Sequence, residues 1–65
     1  MKMVFVRNWW RKNPKWPNGL EPDGNARKTV IARNLTEAEA RQMCEEYNRT
    51  HAAGKLGRKA EYQEQ

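Results

Sequence analysis

The alternation of apolar and polar residues predicts two strands in the first half of the chain. Residues 3–10, MVFVRNWW, combine β-branched and aromatic types in a run too short for a helix, and predict the first strand. Residues 27–35, RKTVIARNL, predict a shorter second strand, and the two are expected to pair antiparallel as a hairpin. Alternation puts the side chains of the first strand on two faces: Met3, Phe5, Arg7 and Trp9 on one, and Val4, Val6, Asn8 and Trp10 on the other.

The segment between these strands, residues 13–25, is predicted to be a loop. It contains all three prolines and the turn dipeptides Asn18-Gly19 and Asp23-Gly24, in which glycine accommodates the positive φ of a tight turn. This segment is longer than an ordinary hairpin connection. Loops of this length in small domains are often functional or mobile, so the segment is a candidate binding loop.

The second half of the chain begins with a helix signal. Thr36 and Glu39 match a capping box, in which the threonine oxygen and the glutamate carboxylate each bond an otherwise unpaired backbone N–H. One helical face follows at regular spacing, made of Ala40, Met43, Cys44, Tyr47 and His51. These features predict a helix over residues 37–52, with Gly54 as its C-terminal cap.

Residues 58–63 alternate in a way that favours a third strand at an edge of the hairpin, and a loose polar tail is the alternative. The predicted fold class is α+β: residues 1–65 form a single small β-β-α(-β) domain, an antiparallel sheet with one amphipathic helix packed on one face. The helix residues Ala40, Met43, Cys44 and Tyr47 are expected to contact Phe5, Ile31 and Leu35. The alternation leaves open which face of the first strand the helix covers.

Positive charge is concentrated at the start of the chain. The formal net charge is +5, and residues 1–20 contain five basic and no acidic side chains, whereas residues 21–65 contain eight of each. A localised basic segment attracts nucleic acid, anionic lipid or an acidic protein face. Solubility and protection of a sheet edge are the alternative explanation.

No group of residues predicts catalysis. The chain lacks serine, a glycine-rich phosphate loop, HExxH and CxxC. Cys44 and His51 lie seven residues apart on the predicted helix, roughly 10.5 Å along its axis, too far for a nucleophile to hydrogen-bond its base. We therefore predict a protein that is not an enzyme and has neither a cofactor nor a metal. No targeting signal or membrane span is evident at the start, so we expect a cytoplasmic protein without a membrane partner.

The segment FVRNWWRKNPKW, residues 5–16, has the strongest potential for binding. Trp9 and Trp10 should point to opposite faces of the first strand, and the helix can cover only one of them. The other either packs under the proline-rich loop, together with Trp16, or stays exposed as a contact. The candidate binding residues are Arg7, Trp9, Trp10, Arg11, Lys12, Lys15 and Trp16.

Exposed indoles among cations suit single-stranded nucleic acid, because bases stack on the rings while the cations meet phosphates. The same residue types are also enriched at protein interfaces. Nucleic acid is therefore the leading predicted partner, and an acidic protein surface is the alternative. A third hypothesis is a structural subunit that self-associates through the uncovered sheet face into a homo-oligomer.

The C-terminal half, LTEAEARQMCEEYNRTHAAGKLGRKAEYQE, resembles short phage-encoded orphan proteins. In these a strand, a capped helix of the form LTxxEAxxxCxxYN and a terminal strand follow one another. The resemblance implies a small accessory protein that binds a host macromolecule, including host-takeover or anti-defence roles. It brings no catalytic residue to this sequence.

Overall fold

The computed structural model describes residues 1–65, which form five strands and one helix. The elements are β1 (Lys2–Arg7), β2 (Trp10–Lys12), β3 (Leu20–Pro22), β4 (Thr29–Leu35), α1 (Glu37–Thr50) and β5 (Lys59–Glu64). β4, β1 and β5 form an antiparallel sheet in that order, whereas β2 and β3 form a separate two-stranded ribbon. The predicted α+β class is confirmed, with one helix packed on an antiparallel sheet.

β1 is the centre of the main sheet, and its two neighbours are the predicted second and third strands. Val4 faces Ala32 of β4 and Tyr62 of β5 across the sheet. The outer edge of β5 is partly closed by the helix, because the Asn48 side chain donates to the Ala60 carbonyl at 3.1 Å and accepts from the Ala60 N–H at 2.8 Å. This pair of hydrogen bonds fixes the position of α1 along β5.

The helix begins where the capping box predicts. The Glu39 N–H donates to Thr36 Oγ1 at 3.2 Å, and the Thr36 N–H donates to Glu39 Oε1 at 2.9 Å. α1 ends at Thr50, with His51 as its cap, so the predicted end at residue 52 and the predicted Gly54 cap are wrong. The Thr50 hydroxyl and the His51 N–H bond the carbonyls of the last turn, and Gly54 lies in the following turn. The helix is too short and too polar to cross a membrane.

The helix covers the Val4 and Val6 face of β1, which corrects the expected contacts with Phe5 and Ile31. The core consists of Val4, Val6, Ala40, Cys44 and Ala60, with Ala32, Leu35, Met43, Tyr47 and Tyr62 packed around it. Register shifts in β4 beside Val4 bring Ala32 onto the helix side, and Ile31 is left 44% exposed. Phe5 is buried on the other face, where the Lys28 ammonium lies 4.7 Å from its ring centroid.

The predicted strand over residues 3–10 is interrupted, and the predicted loop over residues 13–25 contains a strand. β1 ends at Arg7, and the chain bends before β2 begins at Trp10. The chain bends because hydrogen bonds outside the main sheet hold it there: the N–H groups of Trp9 and Trp10 both donate to the Leu56 carbonyl, each at 3.0 Å. Beyond this bend the chain pairs with residues 20–22, so the alternation of faces does not continue from β1 into β2.

Candidate functional site

The seven candidate binding residues lie in or beside the two-stranded element, residues 10–22, which we call the ribbon. Trp10 pairs with Pro22, Arg11 with Glu21, and Lys12 with Leu20. Because side chains alternate along a strand, Trp10, Lys12, Leu20 and Pro22 share one face, and Arg11 and Glu21 share the other. The turn is closed by the Asn13 N–H, which donates to the Gly19 carbonyl at 2.9 Å. Seven residues, 13–19, separate β2 from β3.

The ribbon projects from the rest of the molecule, which we call the body. β2 and β3 contact each other and no other strand or helix. The molecule measures 41 × 22 × 14 Å, and its radius of gyration is 13.2 Å. A compact chain of this length would have a radius of gyration of about 11 Å. The ribbon is therefore an arm that extends away from the sheet and helix of the body.

The base of the ribbon rests on the turn at residues 53–58, which we call the junction loop. The Leu56 carbonyl accepts both tryptophan N–H groups, and the Asp23 N–H donates to the Trp9 carbonyl at 2.8 Å. Gly57 has a φ of +63°, and a Cβ at this position would lie only 2.9 Å from Trp10 Cδ1. Glycine is thus required here both by the backbone conformation and by the close approach of the indole.

Arg7 and Arg11 are engaged within the protein. Arg7 Nη2 donates to the Asp23 carbonyl at 2.6 Å, and its guanidinium carbon lies 4.9 Å from the Trp9 ring centroid. Arg11 forms a cross-strand ion pair with Glu21, whose side chain is 14% exposed. The hydrogen bond from Arg11 is the main cause of the lowered pKa of Glu21, and the nearby Asn13 and Trp16 side chains lower it further. These two arginines stabilise the ribbon and its base.

Lys12 and Lys15 differ from the arginines, because both are exposed and neither forms a hydrogen bond or ion pair through its side chain. The three indoles are also accessible. Trp9 is 39%, Trp10 41% and Trp16 44% exposed. Neither of the adjacent tryptophans is buried by the helix or by the proline-rich segment. The sequence left open a packed and an exposed arrangement, and the structure has the exposed one.

Two open clefts lie beside the ribbon, and each combines ribbon and junction-loop residues. The larger, of about 490 Å³, is lined by Lys12, Pro14, Asn18, Gly19, Leu20 and Lys55. The smaller, of about 240 Å³, is lined by Trp9, Trp10, Gly57 and Lys59. Lys55, Gly57 and Lys59 were missed by the sequence reasoning. The available signal was the run at residues 51–60, which contains three basic side chains and no acidic one.

Charge is distributed unevenly over the two ends of the molecule. α1 contains four glutamates and two arginines, with Glu37 and Glu39 in its first turn. The ribbon and junction loop contain a single acidic side chain, Glu21, which Arg11 neutralises. An anionic ligand is therefore attracted to the ribbon end of the molecule and repelled by the solvent face of the helix.

The remaining titratable side chains are not arranged as a nucleophilic site. Cys44 is buried on the face of α1 that packs on the sheet, and burial raises the pKa of its thiol, with Glu61 and Glu45 adding to the shift. The His51 ring stacks on Tyr47 at a centroid distance of 3.9 Å, and its Nδ1 lies 3.0 Å from the Tyr47 carbonyl. A groove of about 500 Å³ runs along this side of the helix, lined by Glu39, Gln42, Met43, Glu46, Tyr47, Thr50 and His51. It contains none of the predicted binding residues.

Comparison of the chain with protein-family models, with curated proteins and with solved structures returned no match. The resemblance to short phage-encoded proteins therefore stays a prediction. Inference about function rests on the ribbon, the junction loop and the two clefts between them.

Proposed function

We propose that this protein is a non-enzymatic nucleic-acid-binding protein of the cytoplasm and that the ribbon is its binding element. The observation that supports this most directly is the combination of two unpaired lysines, Lys12 and Lys15, with exposed indoles on an arm that projects from the body. Arg7 and Arg11 contribute by holding the ribbon in shape rather than as free cations.

The chemistry of nucleic acid matches this surface in two ways. Lysines meet phosphates, and the release of condensed counterions makes such binding depend on salt. Indole rings offer faces on which bases stack in a way that tolerates any sequence. A two-stranded ribbon is also slim enough to enter a major groove, so the proposal as it stands includes both single strands and duplexes.

The proposal is tested by titrating fluorescent single-stranded DNA, RNA and duplex DNA with the purified protein at about 50 and 200 mM salt. Lys12→Gln/Lys15→Gln is expected to weaken binding to all tested sequences. Arg33→Gln/Arg41→Gln is the matched control, because it removes the same charge from exposed positions on the body beside Met3 and Tyr62. Absence of binding at the lower salt, or equal losses in both variants, contradicts the proposal.

A protein partner with an acidic surface is the second candidate, including the accessory or inhibitor role implied by the phage resemblance. It is favoured by the second face of the ribbon, where Trp16 lies close to the Arg11–Glu21 pair. A mixed aromatic and charged face of this kind suits a protein interface better than a phosphate backbone. Trp16→Ala separates the two candidates: it should abolish capture of a protein partner while leaving the effect of Lys12→Gln/Lys15→Gln on nucleic acid unchanged.

Self-association through the uncovered sheet face has less support. Phe5, the largest apolar side chain on that face, is 4% exposed because neighbouring side chains, including that of Lys28, cover it. Light scattering is expected to give the molar mass of a monomer at every protein concentration.

A further inference from the structure

We propose that the site is a two-walled cleft that selects single-stranded nucleic acid, with a base stacked on Trp10 and with phosphates bound by Lys12, Lys55 and Lys59. This inference rests on the proposed function and narrows it to one ligand form. It also adds a second wall, the junction loop, which the candidate residues from the sequence did not include.

Trp10 is held in place by the junction loop. The edge of its indole that carries Cδ1 and Nε1 packs against Gly57, where a Cβ would lie 2.9 Å from Cδ1 and 3.3 Å from Nε1. The ring is nevertheless 41% exposed and lines the smaller cleft. An aromatic ring held by one edge with its surface open is already ordered for stacking, so a base that binds there pays little further cost in side-chain entropy.

Three lysines, Lys12, Lys55 and Lys59, lie around the Trp10 ring. Lys59 lines the same cleft as Trp10, while Lys12 and Lys55 line the adjacent groove from opposite walls. Lys12 is on the Trp10 face of the ribbon, two residues away along β2. None of the three ammonium groups has a hydrogen-bond or ion-pair partner within the protein, and all three side chains are exposed. Lysines from the ribbon, the junction loop and β5 therefore lie around the exposed Trp10 ring.

An exposed ring of this kind can stack with a base of a single strand but not with a base inside a duplex. In a duplex the faces of each base are covered by the neighbouring base pairs, so a ring inside a cleft has nothing to stack on without disrupting the helix. A single strand presents free base faces together with its phosphates, and a basic groove with aromatic side chains is the arrangement that binds it. The exposed indole of Trp10, which lines a cleft together with Lys59, thus favours the single strand over the duplex.

The test compares a single-stranded oligothymidine with a duplex of equal length across a range of salt. The single strand should bind more tightly, and Lys55→Gln/Lys59→Gln should reduce the slope of log K against log salt by about 1.4, since each phosphate contact contributes about 0.7 for single strands. Arg33→Gln/Arg41→Gln should leave that slope unchanged. Binding that is lost with Lys12→Gln/Lys15→Gln but unaffected by Lys55→Gln/Lys59→Gln, or a duplex bound as tightly as the single strand, overturns this inference and leaves the proposed function standing. No binding to any nucleic acid overturns both.

Trp10 provides a second test through its fluorescence. Trp10→Leu should weaken binding of oligothymidine by about 5- to 150-fold, the range for loss of one stacked base, whereas Trp10→Phe should retain most of the affinity. In a Trp9→Phe/Trp16→Phe background, Trp10 is the single remaining tryptophan, and its fluorescence should be quenched when the oligonucleotide binds. Lack of quenching in this variant while it still binds the oligonucleotide contradicts the stacking role. The lysine variants keep the inference testable if Trp10→Leu disturbs the ribbon.

Discussion

The body and the ribbon of this protein use their apolar side chains in opposite ways. The body buries mainly small residues, and its core contains Val4, Val6 and Ala40 but no tryptophan; Phe5, on the opposite face of the sheet, is its one buried aromatic side chain. The ribbon and its base contain all three tryptophans, and each is more than one third exposed. A chain this short has little apolar surface to bury, so large rings left partly exposed outside the core are available as a contact surface.

The two regions also differ in how they are held. The body is stabilised by packing between the sheet and α1, whereas the ribbon depends on its own strand pairing and on a few hydrogen bonds at the junction loop. Regions with few buried apolar contacts open more readily than cores. We therefore expect changes in the body to affect both regions, and changes in the ribbon to affect binding more than folding.

The largest effect is expected from a charge placed in the core of the body. Val4 is fully buried at the centre of the main sheet. Val4→Asp leaves a carboxylate there without a partner, which costs about 3–5 kcal/mol, most of the total stability of a domain of this size. Circular dichroism at 25 °C should show loss of the folded state. A cooperative thermal transition close to that of the unmodified protein would contradict the assigned core.

The next largest effect is expected at the junction between the regions. Gly57→Ala introduces a side chain at a φ of +63° and within 2.9 Å of Trp10. We expect a loss of about 1–3 kcal/mol in the free energy of unfolding and a shift in tryptophan emission, because the indole must move. Gly54→Ala is the matched control, since Gly54 has a similar φ of +69° and a Cβ there meets no atom within 4 Å. Equal effects in urea denaturation of both variants would show that the ribbon is not held by this contact.

A smaller effect, confined to the body, is expected from the start of the helix. Thr36→Ala removes the oxygen that accepts the Glu39 N–H. Loss of such a cap costs about 0.5–2 kcal/mol. Thermal unfolding should show the decrease, while affinity for nucleic acid below the transition should be unchanged. A change in affinity would mean that the body and ribbon are coupled more tightly than the structure indicates.

The smallest effect is a loss of stability in acid. The pKa of Glu39 lies below its usual value of 4.5 because the Thr36 backbone N–H donates to its carboxylate, with a further contribution from the Thr36 side chain, and the pKa of Glu21 is lowered chiefly by Arg11. A carboxyl with a lowered pKa in the folded state stabilises above its unfolded pKa, and this stabilisation is lost as the pH falls through the folded value. Stability should therefore decline below about pH 4.5. Glu39→Gln should make the stability of the body less dependent on pH in this range, and Glu21→Gln should do the same for the ribbon. If the stability of either variant follows pH as in the unmodified protein, the corresponding contact is contradicted.

The local signals in the sequence were sufficient for most of the body. The capping box at Thr36 and the alternation in β1 act over a few residues. The structure has the helix start where the box predicts it, and the central strand covers Lys2–Arg7, the first part of the predicted segment 3–10. The face of β1 that meets the helix was not predictable, because it depends on register shifts in β4 and on the positive φ of Asn34, which have no local signature in the sequence.

The ribbon depends on contacts that are distant in the sequence, and for that reason it was predicted less well. The bend at Trp9 and Trp10 exists because the Leu56 carbonyl, more than forty residues away, accepts both N–H groups. The pairing of Arg11 with Glu21 and the contribution of Lys55 and Lys59 to the clefts follow from that same docking. Residue types identified the aromatic and basic segment, but only the fold shows which of its cations are free.

The most direct test of the contrast between body and ribbon is one titration: oligothymidine added to the purified protein at low and moderate salt, with tryptophan fluorescence and probe anisotropy followed together. The account predicts binding that weakens steeply with salt, quenches tryptophan and is reduced by Lys12→Gln/Lys15→Gln but not by Arg33→Gln/Arg41→Gln. No binding at low salt, where attraction between the ribbon and phosphates is strongest, would contradict it.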